Sequence, residues 1–250
     1  MKRLVVLGRA SASTQMLIQT MIAAGYAVYW VEERRDDKKQ LLLRRINKQG
    51  LIKVFGQVCF MLVQKYLNFS SKKRRQEILN GFDSIDSIKP VLTTTNVNSP
   101  ESIAFLGTLS SDIVVLSGTR ILSPELLAVF TCPVINIHAG INPKYRGVHG
   151  GYWALVNQDA VNFGSTIHRV DTGIDTGDVL AYAYTSITKK DNFATYPLMQ
   201  QQAAMSLLPN VVSALLTNKA KIIQPSLDSQ LWSHPTLLQY LINRFKAGVK

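Results

Sequence analysis

Short apolar runs separated by turns and helical patterns predict the framework of this chain. Four runs, at residues 4–7, 26–31, 112–118 and 132–135, have the length and composition of buried strands. A small-residue turn and an apolar-periodic helix ending near residue 24 join the first two. Strand, turn and helix in this order are typical of the start of a nucleotide-binding α/β fold. The pattern therefore predicts an α/β protein.

Capping signals place further elements along the chain. Ser99 and Ser123 each precede a proline, as expected for a helix N-cap followed by the first helical residue. We expect a turn at 84–90, a strand at 91–95, one long helix at about 193–217 and a strand-like segment at 221–223. The last helix carries an apolar stripe that must pack on this domain or on a second copy: Leu237, Leu238, Leu241, Ile242 and Phe245.

Composition narrows the class of protein without naming a function. With 250 residues, 46% of them hydrophobic, the chain can bury a sizeable core as one domain with appendages. Cys59 and Cys132 are far apart and lack metal-ligand spacing, so we expect them to pack as small apolar residues. The N-terminal apolar run is too short for a signal peptide. We therefore expect a cytoplasmic location.

Positive charge is concentrated in one segment. The chain has a net charge of +12, and residues 34–75 hold thirteen basic and two acidic residues, which gives 13 − 2 = +11. Three interpretations stay open for this segment: a helix packed on the sheet with a solvated basic rim, a surface helix that docks on anionic lipid, or a nucleic-acid patch. The apolar run at 51–67 is short for a membrane span. By spacing, its aromatic residues are expected to be buried: Phe55, Phe60, Tyr66 and Phe69.

Candidate chemistry follows the strand at 132–135. Asn136 and His138 alternate, so their side chains should project from the same face of the strand. A second strand at 165–170 leads into the segment 171–178, which holds three carboxylates and two glycines. Asn136 could donate to an oxyanion, His138 could move a proton, and Asp175 could orient or charge the imidazole. The alternative is that these residues only end a strand and form a turn.

Other residues are candidates for substrate contact, each with a structural alternative. Gly8, Ser11 and Ser13 could hold a phosphate at a helix N-terminus, or could form only a tight turn and an N-cap. The remaining candidates are loop charges or ring-bearing residues that could equally be solvated or packed in the fold: Lys144, Arg146, His149, Tyr152 and Trp153. His168 faces the same way as Thr166 and Val170 in its strand, which is typical of a satisfied core histidine. The family resemblance described below implies a supporting role for it.

Together these motifs resemble the folate-dependent formyltransferases. The resemblance rests on the Asn136-Ile137-His138 triplet, the loop at 142–147, His168 and the segment Val170-Asp171-Thr172-Gly173-Ile174-Asp175-Thr176-Gly177, and it extends over residues 111–180. The family includes glycinamide ribonucleotide formyltransferase, methionyl-tRNA formyltransferase and the sugar-nucleotide N-formyltransferases.

The resemblance implies a fold and a site. The expected fold is a Rossmann-like, twisted, mostly parallel sheet with helices on both faces and its site at the carboxyl ends of the strands. The catalytic domain would span 1–190 with a basic helical insertion at about 33–80, and 191–250 would form a closing helix and a short extension. The donor would be 10-formyltetrahydrofolate, with no metal. Its binding residues would be Arg120, Ile121, Leu122, Val170, Asp171, Gly173 and Ile174, and the catalytic residues Asn136, His138 and Asp175.

The acceptor is the open part of this interpretation. An amino-sugar nucleotide is favoured, because about sixty residues after the catalytic domain leave no room for the C-terminal barrel of the tRNA enzymes, and the basic insertion is unlike the compact purine enzyme. Glycinamide ribonucleotide and charged initiator tRNA remain alternatives, as do hydrolysis of the donor and a non-catalytic lipid- or RNA-binding protein. Expected further partners are an anionic membrane surface, through residues 34–75 at the inner membrane, and a second copy of the chain.

Overall fold

The computed structural model describes residues 1–34, 38–82 and 88–250, without the side chains at positions 38, 40 and 41. Within these residues the main sheet consists of seven strands: β1 (Arg3–Gly8), β2 (Ala27–Glu33), β3 (Leu92–Thr94), β4 (Ile113–Ser117), β5 (Val134–His138), β7 (Gly164–Arg169) and β8 (Val179–Tyr184). Two short strands, β6 (Arg146–Gly147) and β9 (Leu231–Trp232), form a separate pair. The turn expected at 84–90 lies largely outside the described residues.

Ten α-helices are present among the described residues, and one or more of them separate consecutive strands from β1 to β5. They are α1 (Ala12–Ala23), α2 (Lys38–Gln49), α3 (Leu51–Ser70), α4 (Lys72–Ile78), α5 (Pro100–Thr108), α6 (Pro124–Ala128), α7 (Gly150–Val156), α8 (Tyr196–Met205), α9 (Leu208–Leu216) and α10 (Leu237–Ala247). Ser99 and Ser123 accept hydrogen bonds from backbone N–H groups at the starts of α5 and α6, so both predicted N-caps are confirmed.

The strand order of the main sheet is β3-β2-β1-β4-β5-β7-β8. The pairs from β3 to β5 are parallel, whereas β7 and β8 run antiparallel at one edge. This is the mostly parallel, Rossmann-like sheet that the sequence predicts. The carboxyl ends of β1, β4 and β5 lie at the same edge, so the loops that follow them meet there.

Both faces of the sheet are covered. Along β1, Leu4 and Val6 pack in a core with α1 and α8, while Val5 and Leu7 pack on the other side with α5 and α6. This alternation is what a strand buried on both faces requires. A third, aromatic core lies between α3, α7 and α10. The prediction of helices on both faces of the sheet is confirmed.

The basic segment forms α2, α3 and α4 between β2 and β3. The prediction that its aromatic residues are buried is wrong for three of four. Phe60 is 2% exposed, but Phe55, Tyr66 and Phe69 are 67%, 68% and 80% exposed. Phe60 packs against Phe193 and Tyr240, on the side of α3 that faces the protein. No helix in the described part of the chain is long and apolar enough to cross a membrane.

The C-terminal region differs from its prediction. The single helix expected at 193–217 is two helices, α8 and α9, and α9 begins with Pro209 in its first turn. Proline cannot donate to the preceding turn, so one continuous helix is disfavoured there. Residues 221–234, called the strap below, then return across the sheet edge. Ile223 forms a bridge with Val179 of β8, and β9 pairs with β6.

Candidate active site

Three predicted residues meet at the carboxyl end of β5. Asn136 Nδ2 lies 3.3 Å from Asp175 Oδ1 and donates to it. His138 Nδ1 lies 3.4 Å from Asp175 Oδ2. The alternation along β5 places the amide and the imidazole on one face, as predicted, and the loop after β7 brings the carboxylate to both. The structure therefore assembles the predicted amide, imidazole and carboxylate.

Asp175 is the centre of this cluster. Its φ of +52° is left-handed, a conformation that costs a non-glycine residue about 1 kcal/mol. The N–H of Gly147 donates to its Oδ2 at 2.9 Å. Burial alone would raise the pKa of Asp175, but its contacts with His168, His138 and the Gly147 N–H lower that pKa to about 2. Asp175 is therefore an anion at neutral pH.

His138 is held from both sides. Its Nε2 lies 2.6 Å from the carbonyl oxygen of Tyr145 and donates to it, while Nδ1 faces Asp175. Burial lowers the pKa of His138, and the raising effects of the Asp175 carboxylate and the Tyr145 carbonyl are smaller. The expectation that Asp175 keeps His138 charged is therefore not met in this structure. Desolvation of the buried imidazole outweighs the attraction of the carboxylate.

His168 lies opposite Asn136 in the antiparallel pair of β5 and β7. Its Nδ1 donates to the carbonyl oxygen of Arg169 at 2.7 Å, which leaves Nε2 to accept from Asn136 Nδ2 at 3.2 Å. His168 Nε2 also lies 3.5 Å from Asp175 Oδ1. Because it fixes the orientation of the Asn136 amide, its geometry fits the predicted supporting role.

The loop after β4 holds the first group of candidate donor-binding residues. Arg120 forms an ion pair with the fully buried Glu33, and its backbone N–H also donates to that carboxylate. Its guanidinium thus anchors the loop and is not a solvated loop charge. Leu122 is buried in the core with α5 and α6, and Ile121 is 56% exposed.

The loop after β7 holds the second group. The carboxylate of Asp171 accepts from the Gly173 N–H and the Thr176 hydroxyl, which braces the loop internally. A Cβ at Gly177 would collide with the carbonyl oxygen of Arg169, so only glycine fits there. Val170 packs on the core that contains Leu122, so the two groups of candidate residues share one apolar base.

This arrangement is compatible with a flat, partly apolar donor. Ile121 and Ile174, which lie within the two loops, expose 56% and 38% of their surface. The exposed loop residues Asp171, Thr172 and Gly173 add polar side-chain and backbone groups beside them. Apolar surface bordered by a few polar groups is typical of sites for small ligands.

A cavity of about 220 Å³ borders Asp175. Its walls are the loop at 142–146, the loop at 175–179 and the strap at 222–229. Asn142 is only 2% exposed, and neither polar atom of its side chain has a partner among the described residues. Since an unpaired buried amide is costly, a polar group in this cavity would stabilise the protein.

The two predicted loop charges differ in their surroundings. Lys144 forms an ion pair with Asp159 at 2.8 Å and is held away from the cavity. Arg146 lines the cavity; one of its terminal nitrogens donates to the carbonyl of Ile174 at 3.4 Å, and its buried Nε has no partner in the described residues. Arg146 is therefore the better candidate for an anionic ligand.

The strap is a part of the site that sequence reasoning missed. Its backbone joins the loop at 143–148 through three hydrogen bonds: Gln230 to Pro143, Arg146 to Gln230, and Val148 to Trp232. The Trp232 indole N–H also donates to the Lys144 carbonyl. At Gly147, φ is +93° and a Cβ would collide with the Trp232 carbonyl oxygen. Glycine there is the one sequence signal that could have indicated this close approach.

Three candidates belong to the aromatic core. Tyr152 and Trp153 are 1% and 7% exposed, and their polar atoms pair with Asn243 and the Ser233 carbonyl. His149 lies 4.4 Å from the ring of Phe193 and is hydrogen-bonded to His234. The prediction that these residues contact substrate is therefore not supported. Spacing alone could not show that α7 buries them against α10.

The loop between β1 and α1 forms a tight turn and a helix N-cap, which was the alternative to a phosphate site. Ser11 is the N-cap of α1 and accepts from the Thr14 N–H. Gly8 is buried, and a Cβ there would crowd the Thr14 hydroxyl and the Ser117 carbonyl oxygen. Ser13 lies in the first turn of the helix, which begins at Ala12. Phosphate contact by Gly8, Ser11 and Ser13 remains a prediction, although the loop does lie at the same sheet edge as Asn136.

A larger cavity, of about 430 Å³, lies at the opposite sheet edge between Arg3, Asp112 and Phe130. It contains none of the predicted residues. By volume alone this cavity would be the candidate active site, but it lacks the predicted amide, imidazole and carboxylate. The described residues contain no cluster of histidine, cysteine and acidic side chains suited to a metal ion.

Fold and cluster together define a class of enzyme. A mostly parallel α/β sheet carries an amide, two histidines and a carboxylate at its carboxyl edge, beside a cavity that Asn142 and Arg146 help to line. A hydrogen-bond donor, a proton carrier and a carboxylate suit the transfer of an acyl group to a nucleophile.

Comparison with known proteins names the family. The sequence model described as "Formyl transferase" matches residues 53–212, more than half of the chain. The chain therefore belongs to the formyl transferase family, and the predicted family is confirmed. Methionyl-tRNA formyltransferase from Nitratiruptor sp. is 36% identical over 141 residues, which cover 56% of this chain and 45% of that protein. The chain thus spans less than half the length of this curated relative.

Solved structures share the fold at low sequence identity. A sugar N-formyltransferase from Shewanella sp. has a TM-score of 0.58 and 18% identity, and the match covers 92% of this chain and 76% of that one. A formyltransferase from Anoxybacillus kamchatkensis, solved with a UDP-linked formamido sugar and tetrahydrofolate, has a TM-score of 0.52 and 15% identity, with 92% and 85% covered. Phosphoribosylglycinamide formyltransferases share this fold as well.

Proposed function

We propose that this protein transfers a formyl group from 10-formyltetrahydrofolate to the primary amine of an amino-sugar nucleotide. The observation that carries the proposal is the cluster of Asn136, His138 and Asp175 at the carboxyl end of β5, in a chain of the formyl transferase family. Such a step would serve the synthesis of N-formylated sugars, for example for a surface polysaccharide.

The proposed reaction balances without a metal or an oxidant. The donor supplies an activated formyl group, so a carbon–nitrogen bond forms to the amine while the bond to the donor nitrogen breaks. The amine loses one proton and the donor nitrogen gains one. Two tasks remain for the protein: to stabilise charge on the formyl oxygen and to move this proton.

The cluster offers a group for each task. The Asn136 amide points into the cluster and would donate to the formyl oxygen in place of one of its present partners. His138 has a lowered pKa, so in its neutral form it is available to accept the proton of the amine. The Asp175 anion then stabilises the imidazolium that forms. This assignment replaces the expectation that Asp175 charges the imidazole before the reaction.

Two loops would hold the donor. We assign it to Ile121 and Leu122 after β4 and to Val170, Asp171, Gly173 and Ile174 after β7, as the resemblance implies. Arg120 would act indirectly, because its ion pair with Glu33 fixes the first loop. The support is the shared apolar core of Leu122 and Val170, together with the exposed Ile121 and Ile174 within the same two loops.

The acceptor would enter through the cavity beside Asp175. About 220 Å³ is comparable with the space of one sugar ring, and the amine would then approach the carboxylate that contacts His138. The unpartnered Asn142 amide suits a hydroxyl or acylamino group, and the Arg146 guanidinium suits a phosphate. These two residues support an acceptor that combines a sugar with a phosphate.

The known proteins compared above act on different acceptors, so the acceptor of this protein remains a proposal. Structural neighbours include sugar N-formyltransferases, one of them bound to a UDP-linked formamido sugar, whereas a curated relative is a methionyl-tRNA formyltransferase. The cavity and Arg146 favour the sugar nucleotide over an aminoacyl end. We also propose a cytoplasmic location, where reducing conditions suit the two free cysteines.

A panel of amines with one donor tests this function. The protein is incubated with 10-formyltetrahydrofolate alone, with amino-sugar nucleotides, with glycinamide ribonucleotide and with charged initiator tRNA. We expect formylated product only with an amino-sugar nucleotide. Turnover with another amine alone would disprove the sugar assignment, and donor loss without any amine would indicate hydrolysis. No turnover under any condition would favour a non-catalytic protein.

A further inference from the structure

The outward face of α3 is apolar along its whole length. Its exposed stripe recurs at helical spacing and consists of Leu51, Phe55, Val58, Leu62, Tyr66 and Phe69. Phe69 is 80% exposed and Leu62 is 64% exposed. The opposite side of the helix carries the buried Val54, Gln57 and Phe60. A helix with one buried face normally exposes polar residues on its other face. The exposed apolar face of α3 therefore indicates an interaction surface.

The last helix, α10, packs against α3 and also has an exposed apolar face. α10 packs on α3 through Tyr240, whose ring centroid lies 4.7 Å from that of Phe60. A Cβ at Gly56 would lie 3.0 Å from Thr236, which shows how closely the two helices approach. On the side of α10 away from Tyr240, four apolar residues are exposed: Leu238, Leu241, Ile242 and Phe245. Two segments far apart in sequence thus present outward apolar faces.

The charge around this surface is strongly positive. Residues 38–78, which form α2 to α4, contain eleven basic residues and one acid, Glu77, which gives 11 − 1 = +10. Among those whose side chains the structure describes, seven basic residues are exposed: Lys39, Arg44, Lys48, Lys53, Lys65, Lys72 and Lys73. Lys65 lies next to the apolar stripe, one turn from Phe69, and α10 adds Arg244 and Lys246 without any acid.

We propose that the outward faces of α3 and α10 dock on an anionic phospholipid surface. Protruding apolar side chains among lysines and arginines match a bilayer interface, where acyl chains accept the former and phosphates attract the latter. Nucleic acid would use the charge but not the stripe of leucine and phenylalanine. A symmetric dimer through this face would bring two surfaces of about the same positive charge together, which electrostatic repulsion opposes.

Sedimentation with lipid vesicles tests the proposal on the full chain. Wild-type protein should sediment with vesicles of phosphatidylcholine and phosphatidylglycerol at low salt, but not with phosphatidylcholine alone. The triple variant Phe55→Ser/Leu62→Ser/Phe69→Ser should lose at least about tenfold in partition coefficient. Val161→Ser is the matched control, because Val161 is 81% exposed on a different part of the molecule and should leave binding unchanged.

A second set of variants separates the contribution of charge to vesicle binding from that of apolar insertion. Lys65→Gln, Lys72→Gln and Lys73→Gln should each lower binding by up to about fivefold, and this difference should vanish in high salt. Tyr66→Trp should show quenching by brominated lipid beyond that of the wild-type protein. Circular dichroism and thermal unfolding of every variant identify any that fail to fold.

Three results would overturn the proposal. The first is no sedimentation of the wild type with anionic vesicles at low salt. The second is a dimer in analytical ultracentrifugation that the stripe variant dissociates, which would assign the face to a second copy. The third is RNA binding tighter than lipid binding. None of these measurements depends on formyl transfer, so this proposal and the proposed function can fail separately.

Discussion

At the scale of the residue, the chemistry of the cluster depends on what surrounds each side chain. His138 and Asp175 are in contact, yet burial keeps the pKa of the imidazole low while the pKa of the carboxylate falls to about 2. A neutral base beside a fixed anion suits the removal of a proton from an amine, since the anion stabilises the product of that step. The protonation state thus follows from burial as much as from the neighbouring charge.

The sequence predicts which side chains meet but not how they are buried. Asn136 and His138 are predictable because alternation along a strand fixes their common face. Two facts could not be read from the sequence: the Tyr145 carbonyl occupies His138 Nε2, and Asp159 holds Lys144. Both contacts depend on how the loop at 139–149 folds back, and no local sequence pattern predicts this.

Arg146 and Lys144 make a matched pair for testing the acceptor site. Arg146→Gln should raise the KM for the acceptor about tenfold or more, because a hydrogen bond to a charged group contributes about 1.5–3 kcal/mol. Lys144→Gln should change this KM little, since its partner is Asp159. Steady-state kinetics with both substrates varied checks this. An equal rise for both variants, or a rise in the donor KM instead, would refute the assignment of the cavity.

At the scale of the element, the strap is what completes the site. It consists of short extended pieces, with β9 only two residues long, and is held by backbone hydrogen bonds to the loop that carries Arg146. Such pieces lack an apolar period long enough to predict. The same limit applies to α3, where spacing correctly predicts a helix but cannot tell which of its two apolar faces is buried.

Gly147 links the strap to the cluster. In Gly147→Ala the left-handed backbone costs about 1 kcal/mol, and the new Cβ also meets the Trp232 carbonyl oxygen. Because the Gly147 N–H positions Asp175, we expect a lower kcat as well as a lower melting temperature.

Gly25→Ala is the control for this change. Gly25 has a φ of +85°, and no atom lies within 4 Å of the position that a Cβ would take, so the variant carries the same backbone strain without a clash. It should lose about 1 kcal/mol of stability and keep its kcat. If the two variants were equally stable and equally active, the strap would not position Asp175.

At the scale of the molecule, the α/β framework is the most predictable part. Buried parallel strands leave continuous apolar runs, and serine followed by proline marks helix starts, so β1, β2, β4, β5, α5 and α6 lie near their predicted positions. The break between α8 and α9 and the aromatic core escape prediction, since both depend on contacts between distant segments. The proposed domain limits, 1–190 and 191–250, remain a prediction.

The central claim is that the cluster around Asp175 catalyses formyl transfer. The most direct test is the rate of tetrahydrofolate release with an amino-sugar nucleotide, measured for the wild type, for His138→Ala and for His149→Ala. His149 is a half-buried histidine outside the cluster, hydrogen-bonded to His234. Loss of the proton carrier should lower the turnover of His138→Ala by about a hundred- to ten-thousand-fold with little change in donor binding, whereas His149→Ala, where folded, should remain active. A His138→Ala variant that kept more than about a tenth of wild-type turnover would contradict the account.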